Sequence, residues 1–310
     1  MKGTIVCIGS SLIDELYFCN ENALLGTSNP AQSNKNIGGV ISNIAQHLAH
    51  LGHDVEYLTV LGNDTDASWL EAEFHTNKVS LQHAFRVNDK TGKYISILNP
   101  DGSLFTAACA DHCADYITTS LLHTKIPLLK KASLIVIDTN ISTQCIQWII
   151  DFTKEHNIPL IIEPVSVLKA AKLKELNLNG VFLITPNQDE LQSISTQLDY
   201  NEEKTIEQLL NKGIQQIWVR KGEMGSTIYD QQEQLQLNAV NIQVKDSTGA
   251  GDAALAGWIS YYLNGSDKLE CLKAGHALAF EVLQITGAVH HRITPSSLPE
   301  LILKYYKNDQ

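Results

Sequence analysis

The sequence predicts an α/β protein, a mostly parallel β-sheet flanked by helices with a small β lid inserted into it. Three observations carry this expectation. Short β-branched runs alternate with longer stretches whose apolar residues recur three and four positions apart. Two polar, strand-like segments, 14–36 and 92–108, interrupt that alternation and supply the lid. No tract rich in Pro, Gly or Ser divides the 310 residues, so a single domain over 1–310 is expected.

In chain order, residues 4–8 (Thr-Ile-Val-Cys-Ile) read as a first strand, with no apolar region and cleavage site of a secretory signal. Ile41, Ile44, Ala45, Leu48 and Leu51 form one helical face, which Gly52 closes. Residues 55–61 read as the next strand. Further on, 134–137, 160–162, 181–184 and 216–219 are short apolar runs of strand length. Between two of them, Cys145, Trp148, Ile149 and Phe152 make a helix face ended by Asn157 before Pro159. Strands that alternate with helices in this way give a parallel sheet covered on both faces. Within 92–108, Asn99-Pro100-Asp101-Gly102 separates two strand-like runs, the pattern of a β-hairpin. Insertions of this kind commonly cover a ligand site.

Composition narrows the function classes. Hydrophobic residues make up 44% and charged residues 18% of the chain, an ordinary globular mixture. The net charge of −11 opposes general nucleic-acid binding, although one small polyanion can still be held in a locally favourable pocket. No apolar run approaches the ~20 residues of a membrane span, so a cytoplasmic protein without a membrane partner is expected. The six cysteines contain no CxxC pair and are expected to be reduced thiols. Cys109, His112 and Cys113, with His123 beyond, are conceivable zinc ligands, but no second ligand pair follows at finger spacing, and ordinary packing and loop residues are the expectation.

Most of the chemistry points to the segment Asp246-Ser247-Thr248-Gly249-Ala250-Gly251-Asp252. Residues 241–244 read as a strand entering it, and an apolar helical stretch follows at once. A tight glycine turn at a helix start aims unpaired N–H groups and the positive end of the helix at one point, which suits a phosphate. Asp252 then stands beside the bound phosphoryl group, placed to accept a proton from an attacking hydroxyl. The run Gly249–Ala254 also matches a dinucleotide fingerprint, G-x-G-x-x-A. Only about 60 residues follow it, too few for the second half of such a domain. No G-x-x-x-x-G-K-[ST] occurs, which excludes a P-loop.

This segment resembles the C-terminal signature of the ribokinase (PfkB) family of carbohydrate and nucleoside kinases. Gly38-Gly39 with Asn43 and Ala45, ending at Leu51-Gly52, resembles the N-terminal signature of the same family. The two lie about 200 residues apart in the family's order, and the similarity spans essentially the whole chain. The resemblance implies a ribokinase-like fold and an ATP-dependent kinase of a small molecule. Asp14 would hold sugar hydroxyls, since a carboxylate accepts from two vicinal hydroxyls. Gly38 and Gly39 would let the backbone approach the sugar, and Asn43 offers it both a donor and an acceptor. Asp138 and Asn140 follow a strand, at the end where α/β sheets bind ligands.

On the nucleotide side, Asn187 and Glu190 resemble the family's N-x-x-E motif and would organise Mg²⁺, Glu190 through water. Lys221-Gly222-Glu223-Met224-Gly225 resembles the glycine turn near ATP, and Thr286 and Gly287 would line the adenine. Asp246 and Thr248 lie where a monovalent cation such as K⁺ would sit. Within the family, 38–52, 91–94 with 99–103, and 163–172 are similar to pseudouridine kinases, which implies pseudouridine as substrate. Ser42 stands where many relatives carry a basic residue. Ser166 and Lys169 are the expected uracil contacts. The implied reaction moves the γ-phosphoryl group of ATP to the ribose 5′-hydroxyl. Asp252 takes the proton, and the N–H groups of Gly249, Ala250 and Gly251 neutralise the moving charge. Other substrates of the family (ribose, adenosine, fructose or a keto-deoxy sugar acid), a silent nucleoside sensor and a nicotinamide oxidoreductase are the alternatives. An exposed lid edge invites a homodimer.

Overall fold

The structure, a computed structural model, describes residues 3–307. Its strands in chain order begin with β1 (Thr4–Ile8), β2 (Leu12–Cys19), β3 (Ala31–Gly38), β4 (Val55–Leu58), β5 (Val60–Leu61), β6 (Phe85–Arg86) and β7 (Gly92–Leu98). They continue with β8 (Leu104–Ala110), β9 (Ala132–Asp138), β10 (Leu160–Glu163), β11 (Leu183–Ile184), β12 (Gln216–Arg220), β13 (Ser226–Tyr229) and β14 (Gln234–Leu237).

Eight of them form the main sheet, in the order β14-β13-β12-β11-β10-β9-β1-β4. From β4 to β12 every pairing is parallel, and β13 and β14 close one edge as an antiparallel ribbon. Both faces are covered, and the period of two in the strands shows how. Ile5 and Cys7 face one core while Val6 and Ile8 face the other; Leu134 and Val136 oppose Ile135 and Ile137 in the same way. This is why the strands read as unbroken apolar runs. The first core takes helices Val40–His50, Ala250–Leu263 and Lys268–Leu283; the second takes Thr143–His156. Asn157 ends the last of these in the left-handed region, as its place before Pro159 suggested.

A second sheet, β3-β2-β7-β8, is built from residues 12–38 and 92–110. Its β7–β8 hairpin is antiparallel and turns at 99–103, while β2 and β7 run parallel. β2 starts four residues after β1 ends, so this small sheet rises from the C-terminal edge of the main one. The ammonium groups of Lys35 and Lys93 both reach Asp66 at 2.7 Å, joining the small sheet to helix Thr65–Thr76.

Two expectations are corrected. The strand expected over 55–61 is divided, because β5 leaves the main sheet to pair with β6. Residues 241–244 form no strand: their side chains are largely exposed, and the chain beyond them is held by Lys245 N–H donating to the Leu283 carbonyl (2.8 Å). Among the described residues no helix is long and apolar enough to cross a membrane.

Candidate active site

The ends of β1, β9, β10 and β12 meet the start of helix Ala250–Leu263 at the C-terminal edge of the main sheet. Gly249 caps that helix with φ +74°, a conformation costly for any residue with a Cβ. A Cβ there would also lie 2.5 Å from the Ala288 carbonyl oxygen, so glycine is required twice over. The Ala250 N–H makes a long 3.4 Å contact with the Ser247 carbonyl. Within the turn, Asp246 Oδ1 accepts from Thr248 N (2.9 Å) and Oγ1 (2.7 Å), and its Oδ2 accepts from Gly287 N (2.9 Å). Asp246 and Thr248 thus pin the turn to the loop carrying Gly287, and both Asp246 oxygens are engaged by protein donors. Thr286 is exposed beside it.

Asp252 occupies the first turn of the helix and is 8% exposed. Nδ2 of Asn43 donates to its Oδ2 at 2.8 Å, joining two segments 209 residues apart. Burial pushes the Asp252 carboxyl up to about 7, against the lowering effect of the Asn43 bond. Asn43 Oδ1 is buried with no hydrogen-bond partner among the described residues. It is an acceptor left waiting for a donor such as a hydroxyl. Ser42 is fully buried against the Tyr57 hydroxyl (3.0 Å), where a basic side chain would have no room to reach solvent.

Toward the small sheet, Asp14 lies on β2 directly beside Gly38, where any Cβ would collide with its carboxylate. Burial raises the Asp14 carboxyl to about 6. Gly39 has φ +102° and starts the first helix. Asp138, wholly buried at the end of β9, accepts from Asn140 N (2.9 Å) and Nδ2 (2.7 Å), and burial again raises it to about 6. The Lys169 ammonium donates to Asn140 Oδ1. Ser166 follows Val165, which holds φ +70°, an outlying conformation for a β-branched residue. The strained bend turns the chain sharply after Glu163.

On the other flank, Asn187 and Glu190 form a capping box on helix Gln188–Ile194: each side chain accepts the other's N–H, at 2.8 and 2.9 Å. Glu190 is 3% exposed, and burial, helped by the nearby Glu163 charge, raises its carboxyl. Its Oε1 makes no hydrogen bond to the described residues, so one carboxylate oxygen is open to a hydrated divalent cation such as Mg²⁺. Lys221 is turned to Glu202, at 2.7 Å, and its N–H closes the Gly222–Gly225 turn on the Gly225 carbonyl (2.8 Å).

Four residues of the site escaped sequence reasoning. Glu163 and Arg220 are the last residues of β10 and β12, and Nη2 of Arg220 donates to Glu163 Oε1 at 2.7 Å. Ser10 and Asp111, bonded at 2.5 Å, tie the end of β1 to the end of β8. The strand-end rule that selected Asp138 would have found the first two. Of the residues weighed for zinc, Cys109 is exposed and Cys113 is buried and donates to the Lys90 carbonyl (3.2 Å). Among the described residues no group of three or more His, Cys, Asp or Glu could hold a metal ion.

A mostly parallel sheet with a second small sheet at its C-terminal edge, and a glycine turn feeding a helix there, define a ribokinase-like fold. A ribokinase from Arabidopsis thaliana, solved in complex with ribose and ATP, superposes with a TM-score of 0.84. The two are 21% identical, over 97% of this chain and 99% of that one. The model of the pfkB family of carbohydrate kinases matches residues 2–294, and the chain belongs to that family. It is a phosphotransferase acting on a hydroxyl group, of the sugar or nucleoside kinase type. It is 29% identical to the pseudouridine kinase of Escherichia coli K12 over 277 residues, 88% of each chain. It is 26% identical to a deoxyribokinase of Salmonella typhi over 317 residues, 96% of each.

Proposed function

We propose that this protein transfers the γ-phosphoryl group of ATP to the 5′-hydroxyl of pseudouridine. The observation that carries the proposal is the Asn43–Asp252 hydrogen bond, which couples the sugar-side signature to a buried carboxylate at the phosphate turn. The choice of pseudouridine rests on the similar segments at 38–52, 91–94 with 99–103, and 163–172 and on the E. coli relative.

In this mechanism Asp14 and Asn43 hold the ribose hydroxyls, with the unpartnered Asn43 Oδ1 as one acceptor. Gly38 and Gly39 allow the sugar close to the backbone. Ser166 and Lys169 would contact the uracil, with Asp138 and Asn140 at the adjoining strand end as further substrate-binding residues. Asp252 takes the 5′-hydroxyl proton as the oxygen–phosphorus bond forms and the bond to ADP breaks. The N–H groups of Gly249, Ala250 and Gly251 meet charge on the moving phosphoryl, so most of the rate comes from positioning and electrostatics. Asn187 and Glu190 would hold Mg²⁺, which when bound to the phosphates withdraws charge from them. Gly222, Gly225 and Gly287 shape the nucleotide side, with Lys221 and Thr286 at its margin. The small sheet acts as a lid that excludes water. Its edge strand β8 is exposed along most of its length and is the surface for a homodimer.

ADP formation across pseudouridine, uridine, adenosine, deoxyribose and ribose tests the substrate. Turnover is expected to be highest with pseudouridine, and ADP release without an acceptor to be a small fraction of it. Preference for a free sugar would replace the nucleoside with that sugar in the same mechanism. The pH profile is a second check. Asp252 must be ionised to accept a proton, and its carboxyl titrates at about 7, so kcat/KM should rise with pH through an inflection near 7. A profile flat from pH 5 to 8 would remove Asp252 as the base.

A further inference from the structure

Arg220 is held more tightly than a surface arginine needs to be. Its N–H donates to the Pro186 carbonyl (2.9 Å), and its backbone bridges Asn187 beside the capping box. The side chain is 17% exposed, with Nη2 at 2.7 Å from Glu163 Oε1 and 3.8 Å from Glu190 Oε2. Nη1 lies against Gly251, where any Cβ would collide with it. That nitrogen has no hydrogen-bond partner among the described residues. A guanidinium carries five donors in a fixed plane, matched to carboxylate on one edge and phosphate on another. Here Nη2 is anchored on Glu163, and Nη1 abuts the glycine turn at Gly251.

We propose that Arg220 is a phosphate-binding residue: the Glu163 carboxylate fixes the guanidinium, and its Nη1 edge takes a β- or γ-phosphate oxygen of the nucleotide beside the Gly251 N–H. Glu163 is the positioning residue. The inference rests on the kinase reading above and adds a side-chain contact to a cradle otherwise made of backbone. It also gives Gly251 a reason to be glycine, since a larger residue would displace the cation from the turn.

The test uses the full chain and the variants Arg220→Met, Arg220→Lys and Glu163→Gln. Calorimetric Kd values for AMP and ADP, kcat, and the melting temperature are measured for each. Arg220→Met should weaken ADP binding by about 10–100-fold while AMP changes by less than about threefold, and kcat should fall by about 10²-fold. Arg220→Lys should recover part of the ADP affinity, because a point charge replaces the fork. Glu163→Gln should show a smaller loss, again selective for ADP. Should Arg220→Met melt early, the other two variants carry the same comparison. Unchanged ADP affinity and turnover in folded variants, or equal losses for AMP and ADP, would overturn the proposal, the latter marking a structural ion pair. A parent protein that binds neither nucleotide would instead defeat the kinase reading and this inference with it.

Discussion

Asp252→Asn is expected to lower kcat by roughly 10²–10⁴ while leaving the affinity for ATP nearly unchanged. The amide keeps the shape of the carboxyl and can still accept from Asn43 Nδ2, so the turn at Gly249–Gly251 keeps its geometry. Only the capacity to take a proton is lost. Rapid-quench measurement of ADP formation, with ATP affinity measured separately, distinguishes these effects. The same substitution should stabilise the unliganded protein at alkaline pH. The folded carboxyl titrates at about 7, well above the ordinary carboxylate value of about 4. Its contribution to stability is therefore complete below pH 4 and is lost as pH rises through 7. Asparagine has no such loss, so the variant should melt above the parent at pH 8, with the difference narrowing as pH falls toward 4. A variant slower in turnover and also less stable at pH 8 would mean that its defect is structural.

Gly249→Ala is the second large effect. At φ +74° an L-residue carries a cost of about 1–2 kcal/mol, and the added Cβ would press on the Ala288 carbonyl oxygen. The turn can relieve this only by moving its N–H groups away from the phosphate. Displacement on the order of 1 Å is enough to lower kcat/KM for ATP by roughly 10²–10³. Gly251→Ala has no positive φ to violate and meets only the Arg220 guanidinium, so its loss should be smaller. Steady-state kinetics of both variants, with melting curves, check the order. Equal kinetics for Gly249→Ala and the parent would mean that the turn does not cradle the reacting group.

Much of this architecture was legible in the chain because its signals are local. Apolar runs mark the buried parallel strands, Asn157 before Pro159 marks a helix end, and Asn99–Ser103 marks the hairpin turn of the small sheet. The glycine turn at 249–251 was visible for the same reason. What escaped depends on distance. Nothing near Asn43 announces a bond to Asp252, and nothing near Arg220 announces Glu163, because separate strands bring those partners together. Residues 241–244 misled in the opposite way: β-branched and alternating, they read as a strand, yet no neighbouring strand offers them a ladder. Lys221 illustrates a third limit. Its place in a glycine turn suggested a nucleotide contact, and only the fold shows that Glu202 already holds its ammonium group.

The most direct test of the whole account is to follow the γ-phosphoryl group when the protein is given ATP, Mg²⁺ and pseudouridine. Phosphorus–proton correlation NMR of the product identifies the oxygen that receives it. One ADP is expected for each nucleoside monophosphate formed, with the phosphorus coupled to the 5′ protons. Phosphate released to water at the same rate with and without the nucleoside, or phosphorus found on the 2′ or 3′ oxygen, would contradict it.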